Sequence, residues 1–302
     1  SSLTIGNLAF SAGTITRVQK LTLTGLNQNR KGGLLSGLPE LIIEPNALLY
    51  ATGNADHNID QHTIRNQGTV LWTDSGALRS PNGGQFVNTT GAIFIDNTAG
   101  TAMVTNNLTF TNQGTYLKNS ASTTQVTVPF INTGSLLLNA GTLQFTPTST
   151  LTQTAGVITL ATGATLKVDS GLNFAGGTLS GGGTIVGNVT NSAFLSPGNG
   201  IGTLLITGDL TLQSTSRINF DIGGTSQTTG YDFLSVSGTA TLGGTLALGL
   251  LNNAQAAIVA ASPVTLTILT ANSLSGTFTN VANGARLTTT DGLGSFQVNY
   301  ST

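Results

Sequence analysis

Both histidines of the chain stand in a seven-residue segment that begins at Asp56, together with two carboxylates. In an extended strand alternate side chains share a face, so Asp56, Asn58, Asp60 and His62 would point the same way. Carboxylates and an imidazole on one face can hold a metal ion with open coordination positions. The alternative is a polar loop in which Arg65 pairs with Asp60. We favour the loop and keep Asp56, Asp60 and His62 as candidate metal ligands.

The remaining sequence offers no set of residues for catalysis or for a cofactor. From Asp74 onward the carboxylates are scattered singly, whereas a polysaccharide-cleaving site needs a cluster of acids, often with a basic residue. Asp232 stands in a corner motif and is expected to cap a turn. The glycines Gly181, Gly182 and Gly183 lack the lysine that follows a phosphate-binding loop. We therefore predict no catalytic residue, no cofactor and no enzymatic activity.

The composition is polar but almost uncharged. Charged residues make up 7% of the chain, against about 25% in an average soluble domain, while hydrophobic residues reach 38%. The net charge of −1 argues against nucleic-acid binding, which requires a basic surface. It also leaves little repulsion between copies, which favours self-association. There is no cysteine, and no apolar run approaches the roughly 20 residues of a membrane-spanning helix.

A repeat of about twenty residues organises the chain. Asn66, Asn88, Asn112 and Asn132 follow one another at intervals of 22, 24 and 20 residues, each with an apolar residue two positions before and a glycine soon after. A short β-prone run follows every time. Short strands joined by sharp Asn or Gly corners can close one coil of a solenoid in this length. We expect the Asn side chains to hydrogen-bond from coil to coil and the Phe side chains to stack inside.

The predicted fold class is an all-β, right-handed parallel β-helix with coils of about 20 residues. Helical patterns are nearly absent, and parallel strands without crossover helices leave a solenoid as the remaining solution. An antiparallel sandwich is the alternative, although it would not require this period. About fourteen coils at about 4.8 Å each would form a rod about 65 Å long.

Three regions follow from how well the period is kept. Residues 1–60 keep it poorly and are expected to form an irregular coil or cap. Residues 61–250 should form regular coils, and residues 251–302 longer strands. A short helical turn is expected only over residues 254–261, and no helical or charged cap is expected at the C-terminal end.

From about Ile64 onward the chain resembles bacterial autotransporter passengers and related haemagglutinin-like β-helices. The most specific segment is residues 196–204, SPGNGIGTL, which is similar to a corner that recurs in those passengers. Residues 231–240, 244–246, 266–271 and 276–278 follow in the order of that family's last coils. The resemblance implies a secreted rod that presents surfaces for adhesion, aggregation or matrix building.

The functional expectation is a non-enzymatic extracellular or bacterial-surface rod, structural or adhesive, that binds further copies of itself head-to-tail. Cell-surface or matrix glycans are possible further partners. Two alternatives remain open. One is a β-helix lyase or hydrolase acting on polysaccharide, which would need acids converging on consecutive coils. The other is a carbohydrate- or ice-binding module, which would need an aromatic or Thr platform along one sheet.

Overall fold

The protein is a parallel β-solenoid in a computed structural model, with about 10 turns of about 22 residues and 2% helix. The structure describes residues 2–11, 13–15, 18–35, 39–227, 229–251, 253–261 and 263–301. The predicted fold class is confirmed, and the antiparallel sandwich is wrong, because the strands of the large sheet pair in parallel. The expected number of about fourteen coils is too high. Several coils exceed twenty residues; Thr203, for example, pairs with Phe233.

The chain divides into two compact units, Ser1–Val157 with Lys167–Ser170 and Ile158–Leu166 with Gly171–Thr302, called unit 1 and unit 2 here. Unit 1 contains eighteen strands. They are β1 (Ser2–Phe10), β2 (Thr14–Ile15), β3 (Lys20–Arg30), β4 (Leu34–Leu35), β5 (Glu40–Ile43), β6 (Leu48–Ala51), β7 (His57–Ile59), β8 (Thr63–Asn66), β9 (Thr69–Asp74), β10 (Leu78–Asn88), β11 (Ile93–Thr98), β12 (Thr101–Asn112), β13 (Thr115–Lys118), β14 (Thr123–Val126), β15 (Phe130–Asn132), β16 (Ser135–Leu138), β17 (Thr142–Phe145) and β18 (Leu151–Gln153).

Two further strands, β19 (Val157–Leu160) and β20 (Thr165–Val168), contain residues of both units. The elements of unit 2 are β21 (Leu172–Phe174), β22 (Thr178–Gly181), β23 (Thr184–Val186), β24 (Val189–Asn191), β25 (Phe194–Ser196), β26 (Thr203–Thr207), β27 (Leu210–Leu212), β28 (Arg217–Ile222), β29 (Phe233–Leu242), β30 (Thr245–Leu250), α1 (Ala254–Ala260), β31 (Leu269–Gly276), β32 (Arg286–Thr288) and β33 (Ser295–Gln297).

The short strands alternate strictly between buried and outward side chains, which explains why the period of the sequence is visible. In β13, β16 and β17 every second residue is buried. Because parallel register sets equivalent residues over one another, Phe86 of β10 pairs with Phe110 of β12, which pairs with Phe130 of β15. The ring centroids are 4.9 and 4.8 Å apart and the rings are nearly parallel. The predicted interior stack is confirmed.

Corners of unit 1 need glycine where one coil lies against the next. A Cβ atom at Gly114 would lie 2.4 Å from the carbonyl oxygens of Thr89 and Ala92, and one at Gly134 would lie 2.2 Å from that of Gly114. Real Cβ atoms do not approach backbone oxygen so closely. At Gly114 and Gly134 the glycine of the repeat is therefore fixed by the close approach of the neighbouring coil, whereas Gly91 has open space beside it and a φ of 84°.

The first sixty residues, expected to be an irregular coil or cap, contribute seven strands that pair in parallel. Among them, β1 pairs with β3 over residues 2–10, and β3 pairs with both β5 and β6. Residues 1, 12, 16, 17 and 36–38 of the region lie outside the described part of the chain.

The C-terminal part of unit 2 departs from the parallel pattern. The predicted helical turn is confirmed by α1, and β32 and β33 form an antiparallel pair. The segment between β31 and β33 covers β30: the amide of Thr290 donates to the carbonyl of Leu248, and the Asn280 side chain bonds both the amide and the carbonyl of Leu246. The outer edge of β30 is therefore covered by this segment. For the outer edge of β31, the described residues supply no strand partner.

Candidate functional site

The candidate metal ligands do not share a face. Asp56 and Asp60 point outward, whereas His62 is buried, with 3% of its surface exposed. Gln61, at φ 56°, turns the backbone through the left-handed region and moves His62 to the interior side. Nowhere in the described ranges do three or more His, Cys, Asp or Glu side chains group together as a metal site.

The outward carboxylates of this segment have other partners. Asp56 accepts a hydrogen bond from Arg79 at 2.6 Å, and Asp60 accepts one from Asn82 at 2.7 Å. Arg65 pairs with Glu40 at 2.9 Å rather than with Asp60, because β8 lies beside β5 in the sheet. These exposed pairs hold adjacent coils in register and contribute little to stability.

Inside the first coils of unit 1 lie four polar side chains that we call the open cluster: Arg30, His57, His62 and Ser80. All four are at most 3% exposed. One guanidinium nitrogen of Arg30, Nη2, donates to the carbonyl oxygens of Asn58 at 2.5 Å and Gly33 at 3.2 Å. Leu78 of β10 pairs with His57, which brings Ser80 to the same interior region. The cluster thus joins three successive coils.

The open cluster keeps polar atoms without partners. Within the described part of the chain, Arg30 Nε, both ring nitrogens of His57, His62 Nε2 and Ser80 Oγ are buried and make no hydrogen bond. Buried polar groups in folded proteins are nearly always paired, so each exception asks for a physical explanation. Five orphaned atoms in one interior region indicate that the protein chain alone does not complete this cluster.

Charge in the open cluster is also unbalanced. Burial lowers the pKa of Arg30 to about 10. Burial is the main cause that lowers the pKa of His57 to about 4, and the charge of Arg30 lowers it further. The charges of Asp56 and Asp74 act in the opposite direction. The pKa of His62 is lowered by burial and, less strongly, by Arg30. Both imidazoles are therefore neutral near pH 7, and Arg30 carries the only interior positive charge of the cluster.

A second set of buried polar groups, the closed cluster, lies farther along unit 1. Asp96 of β11 and Lys118 of β13 face each other in register, 3.7 Å apart, with both side chains 0% exposed. Tyr116 and Thr124 donate to one carboxylate oxygen of Asp96 at 2.8 and 2.6 Å, and Thr98 donates to the other at 2.9 Å. Every polar group of Asp96 is therefore engaged.

The ammonium group of the closed cluster is equally well surrounded. Lys118 donates to the carbonyl and hydroxyl oxygens of Ser120 at 3.0 and 2.6 Å and to Ser122 at 3.3 Å. Burial lowers the pKa of Lys118, while Asp96 opposes that shift. Burial, with the charge of Asp96, raises the pKa of Tyr116 far above its usual value. The tyrosine therefore stays a hydrogen-bond donor, and the arrangement is a neutral, self-sufficient unit with no group free for chemistry.

The asparagines of the repeat form a ladder through unit 1, as predicted. Asn66 donates to Asn88 at 2.8 Å, Asn88 to Asn112 at 2.8 Å and Asn112 to Asn132 at 2.7 Å. Asn132 then donates to Gln153 at 2.7 Å. Asn66 also accepts from the amide of Gly68 in its own corner at 3.1 Å, whereas Asn88 and Asn112 donate to the carbonyl oxygens of Thr115 and Ser135 at 2.9 Å. The repeated Asn is a structural residue, and its polar atoms are not available to a ligand.

In unit 2 the most perturbed carboxylate is Asp232. It accepts hydrogen bonds from the amides of Gly202 at 2.8 Å and Asp221 at 2.9 Å, so it ties the glycine corner to the start of β29. Burial raises the pKa of Asp232 to about 7 against the effect of these amides. Its two amide bonds are those of a turn-capping residue, the role expected from the sequence.

Unit 2 also contains a cavity of about 760 Å³ bounded by the last coil, α1 and the β33 segment. Core side chains such as Phe220, Leu246 and Leu248 line it, with Gln255, Arg286 and Tyr300 as polar groups. No carboxylate or imidazole of the described residues takes part in the lining. The acids that a polysaccharide-cleaving site would need are therefore not placed in this cavity.

Two features of the interior were missed in the sequence. Residues 28–33 are mostly polar, yet Gln28 and Arg30 are buried at the end of β3. Asp96 and Lys118 stand 22 residues apart, one coil length, and that spacing is a signal that could have placed them opposite each other.

No helix of the described chain is long and apolar enough to cross a membrane. No protein-family model, curated protein or solved structure matches the chain. What the protein does must therefore be argued from its own residues.

Proposed function

We propose that this protein is a non-enzymatic structural or adhesive element of the extracellular space or a bacterial surface, and that copies associate head-to-tail through open strand edges. The proposal keeps the rod inferred from the coil period and the resemblance to autotransporter passengers and haemagglutinin-like β-helices. The observation that carries it is the edge strand β1.

The inner side of β1 pairs with β3 along nearly its whole length, while its outer side has no partner among the described residues. The strand is nine residues long and contains no charged residue and no proline. Natural proteins block exposed edges with lysine, proline or a covering segment, because unpaired backbone groups recruit another strand. An edge of this length without such a block is suited to pairing with a second chain.

A complementary edge is available at β31. This strand is eight residues long, also lacks charge, and pairs on one side with β29. The covered neighbour β30 leaves β31 as the open parallel edge in the C-terminal part of unit 2. Association of β1 of one copy with β31 of another would satisfy both edges with main-chain hydrogen bonds, as in β-strand addition.

The absence of an active site is part of the same proposal. Several outward acids are held in ion pairs, such as Glu40 with Arg65 and Asp56 with Arg79, and the buried Asp96 and Asp232 are hydrogen-bonded. We assign no catalytic residue to any of them. Glycan binding and secretion remain parts of the proposal that rest on the resemblance, and turnover of an acidic polysaccharide by the purified protein would refute the non-enzymatic assignment.

Sedimentation velocity over a wide concentration range tests the association. We expect the wild-type sedimentation coefficient to rise with concentration and Thr4→Lys in β1 to remain monomeric, because a charge is placed on the edge strand. Thr152→Lys, an exposed position on β18 away from β1, is the matched control and should behave as wild type. A monomeric wild type at all concentrations, or Thr4→Lys behaving as wild type, would refute the proposal.

A further inference from the structure

We propose that the open cluster is an interior binding site for one small inorganic anion, of the sulfate, phosphate or chloride class, held by Arg30 together with His57, His62 and Ser80. This site is independent of the proposed self-association. It rests on the unbalanced charge and on the unpaired buried atoms of four side chains.

The charge argument concerns Arg30. Its guanidinium is 3% exposed and its recorded partners are two neutral carbonyl oxygens. The acids nearest this region are committed elsewhere: Asp56 to Arg79, Asp60 to Asn82 and Asp74 to the amide of Gly53 at 2.7 Å. A buried charge without a counter-charge is costly, and a bound anion removes that cost.

The unpaired atoms suit an anion because most of them are donors. Arg30 Nε always carries a hydrogen, and the Ser80 hydroxyl can turn its hydrogen toward an acceptor. His62 Nδ1 lies 3.0 Å from the carbonyl oxygen of Asp60 and must donate to it, so a proton gained by this ring goes to the unpaired Nε2. His57 has two ring nitrogens that make no other bond; one carries a hydrogen in the neutral ring, and both do once the ring is protonated.

A metal cation or water molecules alone would suit the open cluster less well than an anion. The fixed positive charge of Arg30 repels a metal ion from the imidazoles beside it, and the described residues contain no ligand set for one. Water could satisfy the unpaired atoms but would leave the Arg30 charge without a counter-ion. An anion serves both requirements at once.

Anion binding should be coupled to proton uptake. The groups that influence the imidazoles are Arg30, which disfavours their protonation, and Asp56, Asp60 and Asp74, which favour it. An anion in the cluster offsets Arg30 and accepts a hydrogen bond from a protonated ring. Binding of the anion then takes up one proton on an imidazole. Above the pKa of that imidazole in the complex, the affinity for the anion should fall roughly tenfold for each pH unit.

The test is calorimetric titration of the intact chain with sodium sulfate, sodium phosphate and sodium chloride in separate arms, at about pH 6 and about pH 8, in buffers with a bulky organic counter-anion. We expect one saturable equivalent per chain in at least one arm, bound more weakly at the higher pH. Comparing the arms shows whether an oxyanion or a halide is preferred.

Variants separate the site from general salt effects. Arg30→Gln should abolish the saturable binding and Ser80→Ala should weaken it several-fold, whereas Arg217→Gln, an exposed arginine of unit 2, should leave it unchanged. If Arg30→Gln does not fold, the titrations of the wild type and of Ser80→Ala still test whether the open cluster binds an anion. No saturable binding of any of the three anions to the wild type, or equal binding by wild type and Ser80→Ala, would overturn the inference.

Discussion

The two buried polar clusters of unit 1 differ in whether each buried charge has a counter-charge beside it. In the closed cluster Asp96 and Lys118 lie in register on neighbouring coils, and hydroxyl and carbonyl groups take up their remaining bonds. In the open cluster Arg30 faces two neutral imidazoles, and five buried atoms lack partners within the described ranges. The same coil geometry therefore produces the closed cluster, in which the polar groups are paired, and the open cluster, which an anion would complete.

This difference shows what a parallel solenoid requires of an interior polar residue. Because coils stack in register, a buried charge meets the residue one coil length away, and the pair is complete only when that position carries the opposite charge. Asp96 meets Lys118 in this way. Arg30 pairs in register with Phe10 and Ala51, and neither side chain carries the negative charge that would neutralise the guanidinium.

The largest effect is expected from breaking the closed cluster. Lys118→Met leaves the Asp96 carboxylate buried without its cation and should lower the free energy of unfolding by about 3–5 kcal/mol. Lys167→Met breaks the partly exposed pair with Asp169, 3.3 Å apart, and should cost less than about 1 kcal/mol. Urea unfolding of both variants measures the difference. Equal losses would contradict the account of the closed cluster.

The next effect is a pH dependence that originates in the open cluster. The pKa of His57 is lowered to about 4 from 6.5, so the unfolded chain takes up a proton in this window while the folded chain does not. Stability is therefore complete above pH 6.5 and should fall by on the order of 3 kcal/mol as the pH drops to 4. His57→Gln should flatten that part of the urea-unfolding profile. A profile unchanged by the substitution would show that His57 is not buried as a neutral ring.

The smallest effects come from deleting one hydroxyl in each cluster. Thr124→Val removes the 2.6 Å hydrogen bond to Asp96 and should cost about 1.5–3 kcal/mol, the value of a bond to a charged group. Ser80→Ala removes a buried hydroxyl that has no partner among the described residues and, in anion-free buffer, should not lower the free energy of unfolding, because the cost of burying an unpaired group is lost with it. If Ser80→Ala lowered the free energy of unfolding more than Thr124→Val, the distinction between the open cluster and the closed cluster would be contradicted.

The features carried by the repeat could be predicted from the sequence. The spacing of Asn66, Asn88, Asn112 and Asn132 indicated stacked coils, and it correctly anticipated the amide ladder and the Phe stack. These predictions succeed because a rung of fixed length places equivalent residues over one another. The short helix near Ala254 was also anticipated.

What the sequence could not give depends on single backbone turns and on distant segments. The side to which His62 points is decided by the left-handed conformation of Gln61, a residue with no strong preference for it. The cover over β30 arises from contacts of Asn280 and Thr290, more than thirty residues away in the chain. Arginine is rarely buried in folded proteins, and nothing in the sequence marks Arg30 as an interior residue.

Electron microscopy of the purified protein across a range of concentrations, with Thr4→Lys beside it, tests the central claim that open strand edges join copies of the chain. The account predicts fibres in the wild type that lengthen with concentration and disappear in Thr4→Lys. Single particles of the wild type at every concentration would contradict it.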